Sequence, residues 1–322
     1  MLIKKNETLV KLKELFLRKK LPHAILLEGE KGIGKRTLAL YLAKLLNCKD
    51  AEKPCLDCNI CNAIENRSHP DVYFISGEGK TESIGIGKIR EVKNTLNVLP
   101  NQSDYKIYII PDAGNMTIEA QNAFLKSLEE PVTNTFFILT ASDKSFLLET
   151  VLSRVTVFPL LPYKESEISE FLNEKYPKFE NTKLKTAASL SGGIVGTAIS
   201  FLADDENRLL TDGLNVLKSI SEKKYTAVLS IFSAYEKKKP EAQLFLNILC
   251  RLYDDILNFK FNKNYHSAFV IYKEQLSKYA VNFTEKHILT ALEMFNKTSQ
   301  ALKSNVNPTL SLSVLAISLF SE

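Results

Sequence analysis

The stretch HAILLEGEKGIGKRTLALYLAKLLN, residues 23–47, contains three successive patterns that together indicate a fold. Residues 23–28 form a short apolar run, which is typical of a buried strand. Residues 29–34 carry three glycines and predict a tight turn. Residues 37–47 repeat leucine and alanine at helical spacing, so they predict a helix. The strand, the glycine turn and the helix form one β–loop–α unit.

The glycine turn matches the phosphate-loop pattern G-x-x-x-x-G-K-[ST] at all but its last position. Gly29 and Gly34 let backbone N–H groups turn towards phosphate oxygens, and the following helix presents its positive N-terminal end. Lys35 would place an ammonium group against the β and γ phosphates. An ordinary glycine turn with a solvated lysine is the alternative. The strand before the turn and the helix after it disfavour that alternative.

The last position of the pattern needs a hydroxyl to hold Mg²⁺, but it is occupied by Arg36. Thr37 follows, yet one step along a helix turns a side chain by about 100°, so its hydroxyl is not expected at the same place. The sequence therefore predicts a degenerate phosphate loop with compromised metal binding. It leaves open whether ATP or ADP occupies the loop. The candidate nucleotide-binding residues are Gly29, Gly32, Gly34, Lys35 and Thr37.

Strand and helix patterns alternate through the first half of the chain. Apolar runs predict further strands at 71–76, 106–110, 135–140 and 155–158, and helical spacing predicts helices at 7–20, 86–99 and 117–128. Glu129, Glu130 and Pro131 are interpreted as the end of the last of these helices, not as paired catalytic acids. Strands that alternate with helices of about a dozen residues predict a mainly parallel sheet.

The pattern changes after residue 160, where helical periodicity continues and strand candidates become few. A chain of 322 residues is also too long for one ordinary core. We therefore predict an α/β domain at 1–160, a small helical domain at 161–205 and an all-α domain at 206–322. The polar residues 204–208 are predicted to be a linker.

Four of the five cysteines fall within 14 residues. In the spacing Cys48-x6-Cys55-x2-Cys58-x2-Cys61, two C-x2-C steps can present three sulfurs to one point while the first cysteine supplies the fourth. Four thiolates form a closed tetrahedral zinc shell, which predicts a structural and not a catalytic metal. An iron–sulfur cluster and free thiols are the alternatives. Cys250 lies in an apolar helical pattern and is predicted to be a core residue.

Composition excludes several classes of protein. Hydrophobic residues make up 45% and charged residues 25%, which is the balance of a globular protein. No stretch approaches the roughly 20 apolar residues that cross a bilayer, and the N-terminus lacks the apolar segment of a signal peptide. We therefore expect a cytoplasmic protein with no membrane partner. The net charge of +5 is compatible with a DNA-handling complex but does not indicate one.

Two further motifs accompany the degenerate loop and the cysteine module. Residues 122–131 read NAFLKSLEEP, and residues 153–155 read SRV. Together the four motifs, which cover about 23–160, resemble the AAA+ subunits of the bacterial DNA polymerase III clamp loader, of the gamma/tau and delta-prime type. The resemblance implies an AAA+ core with a parallel sheet and an inserted zinc module at 48–61. It also implies a helical lid at 161–205 and an all-α collar at 206–322 through which subunits oligomerise.

Three departures from the family pattern affect ATP hydrolysis. The first is Arg36, in place of the Mg²⁺-binding hydroxyl. The second motif of these ATPases, an apolar strand ending in Asp-Glu, aligns with Pro111 and Asp112, so the metal-binding carboxylate is missing and the water-activating one is a methylene shorter. The lid arginine aligns with Gly196. The resemblance is therefore closer to a non-hydrolysing delta-prime type, and an ATP-hydrolysing gamma/tau-type motor is the alternative.

Arg154, in the SRV motif, aligns with the family's arginine finger. The resemblance implies that this residue reaches the nucleotide of a neighbouring subunit in trans, where an arginine can be worth about 10³–10⁵ in rate. A surface arginine in a local salt bridge is the alternative. The implied partners in the DNA polymerase III holoenzyme are the gamma/tau and delta subunits and, through the complex, the sliding clamp and primed DNA. A zinc-binding interaction module without a role in replication is the remaining alternative.

Overall fold

A computed structural model of the chain describes residues 6–79, 82–96, 98–130, 132–203, 208–262, 265, 267, 269, 272–303 and 306–320. The chain divides into two compact units. The first comprises Met1–Lys164 together with Ile194–Gly196, and the second comprises Glu165–Gly193 and Thr197–Glu322. Within the described ranges, no helix is both long enough and apolar enough to span a bilayer.

A five-stranded sheet forms the centre of the first unit. Its strands are β1 Ala24–Glu28, β2 Val72–Phe74, β3 Lys106–Ile110, β4 Thr135–Ala141 and β5 Thr156–Pro159. The order is β2-β3-β4-β1-β5, and every neighbouring pair is parallel. The central strands are continuous apolar runs because helices cover both faces of a parallel sheet, so side chains on both faces are buried. The predicted parallel α/β fold is therefore confirmed.

The sheet is held on one face by a row of aromatic rings. Tyr73, Tyr108 and Phe137 are paired in register on three adjacent strands, and their rings stack at centroid distances of 4.9 and 5.3 Å. Phe124 from the covering helix meets Phe137 edge to face at 5.1 Å. Offset and edge-to-face pairs of this kind add to the stabilisation from buried area. The row therefore fixes how three strands and one helix pack.

All but the first helix of this unit lie between successive strands, as in βαβ crossovers. The helices are α1 Glu7–Leu17, α2 Lys35–Asn47, α3 Asn59–Glu65, α4 Ile86–Leu96, α5 Ile118–Glu129 and α6 Glu149–Leu152, with 3₁₀ turns at Ala113–Asn115 and Lys144–Phe146. Thr117 begins α5, because its side chain accepts a hydrogen bond from the Ala120 N–H. The residue expected to end α5, Pro131, lies outside the described residues.

The rest of the chain is helical where the structure describes it. Its helices are α7 Glu165–Lys175, α8 Asn181–Leu190, α9 Val195–Ala203, α10 Arg208–Ser221, α11 Tyr225–Ser233, α12 Lys239–Phe261, α13 Lys273–Asn282, α14 Glu285–Lys303 and α15 Pro308–Ser318. Helix α12 packs against α10, α13 and α14. Tyr235 stacks on Phe245 with ring centroids 4.4 Å apart, and its hydroxyl donates to Asp212. This confirms the predicted all-helical C-terminal region.

Several predicted boundaries differ from those observed. The strand predicted at 71–76 is shorter and spans only Val72–Phe74. The Asp71 side chain, just before it, accepts hydrogen bonds from three backbone N–H groups of 101–103. The helix predicted at 86–99 ends at Leu96. Most of the predicted linker, residues 204–207, lies outside the described ranges. The division of the helical region into a lid at 161–205 and a collar at 206–322 stays a prediction.

Candidate functional site: a glycine loop, a cysteine cluster and a surface arginine

The predicted phosphate loop joins the end of β1 to the start of α2. Two of its residues, Gly32 and Gly34, have φ of +90° and +110°, a region that glycine adopts without a steric penalty. Gly34 is the N-cap of α2, and its carbonyl accepts the first helical hydrogen bond from the Leu38 N–H at 2.9 Å. The glycines therefore shape a turn that leads directly into a helix N-terminus, as the sequence predicts.

Lys35 is turned back onto this loop. Its Nζ donates to the carbonyl oxygens of Gly29 at 2.6 Å and Glu30 at 3.0 Å. The side chain is 7% exposed. Burial lowers the pKa of Lys35, and the carboxylates of Asp112 and Glu30 partly oppose that shift. Two of the three donors of the ammonium group are thus bound to oxygens of the loop itself.

The positions that the sequence analysis aligns with the Mg²⁺ ligands and the water-activating carboxylate lie in the first turn of α2 and directly after β3. Arg36 and Thr37 are both exposed, whereas Lys35 is buried. Pro111 is buried directly after β3, and Asp112 follows in the left-handed region at φ +48°. The Asp112 N–H donates to Thr140 Oγ1 on β4 at 3.0 Å. Parallel strands bring their carboxyl ends to one edge of the sheet, which is where such folds bind ligands.

The residue aligned with the lid arginine contacts the phosphate loop through its backbone. Gly196, at the start of α9, donates its N–H to the Gly32 carbonyl at 2.9 Å. A Cβ on Gly196 would lie 2.8 Å from the Gly32 Cα, which is closer than real Cβ contacts allow. The sequence predicts that glycine replaces the lid arginine at this position. It gives no signal for the backbone contact, because Gly32 and Gly196 are far apart in the chain.

The four clustered cysteines come together at one point. Cys48 follows α2 and Cys58 is the N-cap of α3, where its Sγ accepts from the Cys61 N–H at 3.4 Å. All four Sγ atoms lie within 4.8 Å of one another. The Sγ atoms of Cys48 and Cys55 are 3.6 Å apart, and those of Cys55 and Cys61 are 3.9 Å apart. Four thiolates about 2.3 Å from one zinc ion are separated by roughly 3.8 Å, so these residues fit a tetrahedral metal.

The thiols of the cluster have different acidities. The backbone N–H of Cys61 stabilises the Cys58 thiolate and lowers its pKa to about 7. Burial raises the pKa of Cys61. The backbone N–H groups of Asp57 and Cys58 lower the pKa of Cys55, but the Asp57 side chain and desolvation outweigh them and leave it raised. A metal ion must therefore displace protons from this cluster in order to bind.

His69 lies close in sequence to the cysteines but both of its ring nitrogens have other partners. Nδ1 accepts from the Asp71 N–H at 3.1 Å, which makes Nε2 the protonated nitrogen that donates to Ser103 Oγ, also at 3.1 Å. Burial lowers the pKa of His69. The fifth cysteine, Cys250, is partly buried in α12, and burial raises its pKa to about 12.

Arg154 follows α6 and lies on the surface of the first unit. Its Nη2 pairs with Glu129 Oε1 at 2.5 Å, and its Nη1 donates to the Thr150 carbonyl at 2.8 Å and to Ser153 Oγ at 3.2 Å. About a third of the side chain is exposed, 34%. Glu129, which the sequence predicts only as a helix end, is thus the partner of the candidate finger. No pattern in the sequence links the two residues.

The first unit is a parallel α/β domain with a glycine-loop turn and a four-cysteine cluster, and the chain continues with helices, which defines the class as α/β proteins of the phosphate-loop type with a helical C-terminal region. A family model described as "DNA polymerase III, delta subunit" matches residues 4–164, and one described as "DNA polymerase III, delta subunit, C terminal" matches residues 209–319. The chain belongs to this family of DNA polymerase III delta subunits.

Relatives of two types are similar to the chain. The DNA polymerase III subunit delta' of Bacillus subtilis (strain 168) is 27% identical over 293 residues, which cover 89% of this chain and 88% of that protein. Subunit tau of the same organism is 25% identical over 333 residues, which cover 96% of this chain and 59% of that protein. The crystal structure of a gamma subunit-related protein from Thermotoga maritima matches with a TM-score of 0.50 at 22% identity, covering 98% of this chain and 99% of that one. This last likeness supports the fold.

Proposed function

We propose that the chain is a non-hydrolysing, delta-prime-type subunit of the DNA polymerase III clamp loader that supplies Arg154 to the nucleotide of a neighbouring motor subunit. The positions for the Mg²⁺ ligand and for water activation hold Arg36, Pro111 and Asp112, whereas a partly exposed arginine, Arg154, is retained in the SRV motif. Residues needed to act on the chain's own nucleotide are replaced, and the residue that acts in trans is kept.

Loss of hydrolysis follows from the chemistry of phosphoryl transfer. The reaction needs charge neutralised on the phosphates and a positioned water molecule, and Mg²⁺ supplies much of the first requirement. Proline has no side-chain oxygen, so Pro111 provides no ligand for the metal. Asp112 has its backbone in the left-handed region, and its own N–H is bound to Thr140. These features support a site that does not cleave ATP.

Arg154 has the chemistry that a finger in trans requires. Its guanidinium is planar and permanently charged, so it can bind two oxygens of a γ-phosphate at once. Its present partner, Glu129, is 46% exposed, and an ion pair this exposed is worth about 1 kcal/mol or less. A phosphate on a neighbouring subunit can therefore replace the carboxylate at little cost. In this proposal the Arg154 side chain pairs with Glu129 in the isolated chain and with a phosphate of the neighbouring subunit in the complex.

The four cysteines would hold a structural zinc ion. Cys48, Cys55, Cys58 and Cys61 fill all four tetrahedral positions with thiolates, which leaves no place for a water molecule. The ion would join the C-terminal end of α2 to the start of α3, because these two helix ends carry Cys48 and Cys58. Its role in this proposal is to fold the inserted module and not to take part in hydrolysis.

The helical region would serve assembly. In this proposal residues 161–205 are a lid, and residues 206–322 are a collar that joins the gamma/tau and delta subunits in the cytoplasm. The sliding clamp and primed DNA would be reached through the complex. A hydrolysing gamma/tau-type motor is the second candidate, because Lys35 and the loop glycines are retained and a tau subunit matches 96% of the chain.

Phosphate release separates the two candidates. The isolated chain is incubated with Mg-ATP, and its turnover is compared with that of a complex reconstituted from motor and delta subunits with or without the chain. The proposal predicts no turnover above background by the chain alone, and DNA-dependent turnover that rises when the chain joins the complex. Turnover near one per second by the isolated chain would establish the motor instead.

A further inference from the structure

We propose that the second unit contains a binding pocket for a small aromatic carboxylate, formed by α8, α9, α10 and the residues just before α13. The pocket involves neither the glycine loop nor Arg154, so this inference goes beyond the proposed function. The class of ligand follows from two features of the pocket. Its floor is apolar and has room for one ring, and its mouth carries positive charge.

The floor of the pocket is formed by buried apolar side chains. The cavity has a volume of about 150 Å³ and is partly open to solvent. The buried side chains that line it are each at most 7% exposed, and they are Ala187, Leu190, Phe201, Leu210 and Phe269. An apolar cavity of about 150 Å³ can hold one molecule of benzene. The floor therefore accommodates a single aromatic ring.

Aromatic side chains in the wall favour an aromatic ligand. Phe201, Phe269 and Tyr272 all line the cavity, and contacts between aromatic rings add stabilisation beyond that of the buried area. The Phe269 N–H donates to Ser267 Oγ at 2.9 Å, and the Ser267 hydroxyl donates to the buried carboxylate of Asp255. This wall is thus held in position without a ligand, as in preformed ligand pockets.

The mouth of the pocket is polar and borders the first turn of α8. Thr182, Lys183 and Thr186 line it, and none of them is buried. The first N–H groups of a helix have no partner within the helix, and the side chain of the N-cap residue, Glu180, does not bond to them. The Lys183 ammonium and the positive end of α8 therefore favour a negatively charged group at the mouth.

Glu180 lies at the same mouth and opposes an anion there. It is exposed, so solvent and salt screen its charge, and its carboxylate accepts a hydrogen bond from the Thr182 hydroxyl at 3.2 Å. Lys183 Nζ lies 5.2 Å from the ring centroid of Phe179, which holds the ammonium beside the first turn. A carboxylate joined to the bound ring by a short chain can meet this ammonium.

Fluorine NMR of the full chain with fluorinated probes tests the pocket, because fluorine occurs nowhere in the protein. The probes share one ring: fluorophenylpropionate carries a carboxylate, fluorotoluene is neutral and fluorophenylethylamine carries an ammonium. We expect fluorophenylpropionate to bind with a dissociation constant on the order of 1 mM, and about threefold more tightly than either other probe. Absence of saturable binding up to about 10 mM overturns the pocket. An ammonium probe that binds equally well overturns the carboxylate class.

Substitutions in α8 locate the bound probe. Ala187→Leu places three further carbons in the floor and should abolish binding of fluorophenylpropionate. The matched control, Lys185→Leu, adds leucine to the exposed side of the same helix and should bind as the unmodified chain does. Thr186→Leu, at the mouth, is a second filling variant that keeps the test decisive if Ala187→Leu does not fold. Lys183→Met should remove the preference for the carboxylate and leave binding of fluorotoluene unchanged.

Unchanged binding of fluorophenylpropionate by a folded filling variant would overturn the assignment to this cavity. A preference for the carboxylate that survives Lys183→Met would overturn the role of the mouth. These titrations need neither nucleotide nor partner subunits. Their failure would therefore leave the proposed function standing, and a chain that fails in the assembled complex would leave the pocket standing.

Discussion

If the four-cysteine cluster holds zinc, as proposed, its affinity for the ion should depend steeply on pH, because each thiol must lose its proton before it binds a metal. The pKa values of Cys55 and Cys61 are raised, so both thiols are protonated near neutral pH. Cys58, with a pKa of about 7, is half ionised there. On binding zinc near pH 7, Cys55 and Cys61 each release about one proton and Cys58 releases about half a proton, so these three thiols together release about 2.5 protons per zinc ion. The apparent dissociation constant should therefore rise by a factor of roughly 300 for each unit by which the pH falls.

Competition with a coloured chelator at about pH 6.5, 7.0 and 7.5 measures this dependence, and a pH indicator in weak buffer counts the protons released. A Cys250→Ser chain is the matched control, because that thiol lies in α12 and outside the cluster. It should show the same slope as the unmodified chain. A slope below one proton per zinc ion would mean that at most one of these thiols binds the metal, and it would refute the four-thiolate site.

Three further predictions concern the first unit. Asp71→Ala should lower the free energy of unfolding in urea by about 3 kcal/mol, because three N–H groups of 101–103 lose a charged acceptor; a loss below about 1 kcal/mol would contradict this. Because burial lowers the pKa of His69, its contribution to stability is complete above about pH 6.5 and is lost as the pH falls below that. A His69→Gln chain should therefore lose less stability than the unmodified chain between about pH 6.5 and 5, and equal losses would argue against it. Glu129→Gln should change turnover of the assembled complex by less than about fivefold, because it removes only an exposed ion pair with Arg154; a loss as large as that from removing the arginine would assign the pair a structural role.

The strands could be predicted because burial on both faces leaves a local signal. Each central strand is an uninterrupted apolar run, and the predicted ends differ from β1, β3, β4 and β5 by only one residue or none. The short helix α3 is missed because its seven residues are too few for a periodic pattern. Its start depends on the Cys58 sulfur, which caps it. A cysteine sulfur acting as an N-cap can be recognised only when the local structure is known.

The candidate site likewise has parts that the sequence predicts and parts that it does not. The phosphate loop and the four cysteines are local patterns with fixed spacing, so the sequence identifies them. The hydrogen bond between the Gly196 N–H and the Gly32 carbonyl and the pairing of Arg154 with Glu129 each join separate segments. No rule of spacing connects such residues, because their proximity depends on how whole elements pack. The same holds for Asp71, which belongs to an apolar run in the sequence but accepts hydrogen bonds from a distant loop.

In the proposed function, this chain supplies a catalytic arginine to the nucleotide site of a neighbouring subunit. The most direct test is DNA-dependent phosphate release by the complex assembled with an Arg154→Ala chain. The matched control is Arg90→Ala, which removes an exposed arginine elsewhere on the first unit. Arg154→Lys tests whether charge alone is sufficient.

We predict that the Arg154→Ala complex elutes as the unmodified complex does but loses the fast release of phosphate at the neighbouring site, by roughly 10³-fold or more. Lysine should not restore this release, since it lacks the planar fork, and Arg90→Ala should leave it unchanged. An intact complex that releases phosphate at the full rate without Arg154 would contradict the proposed function.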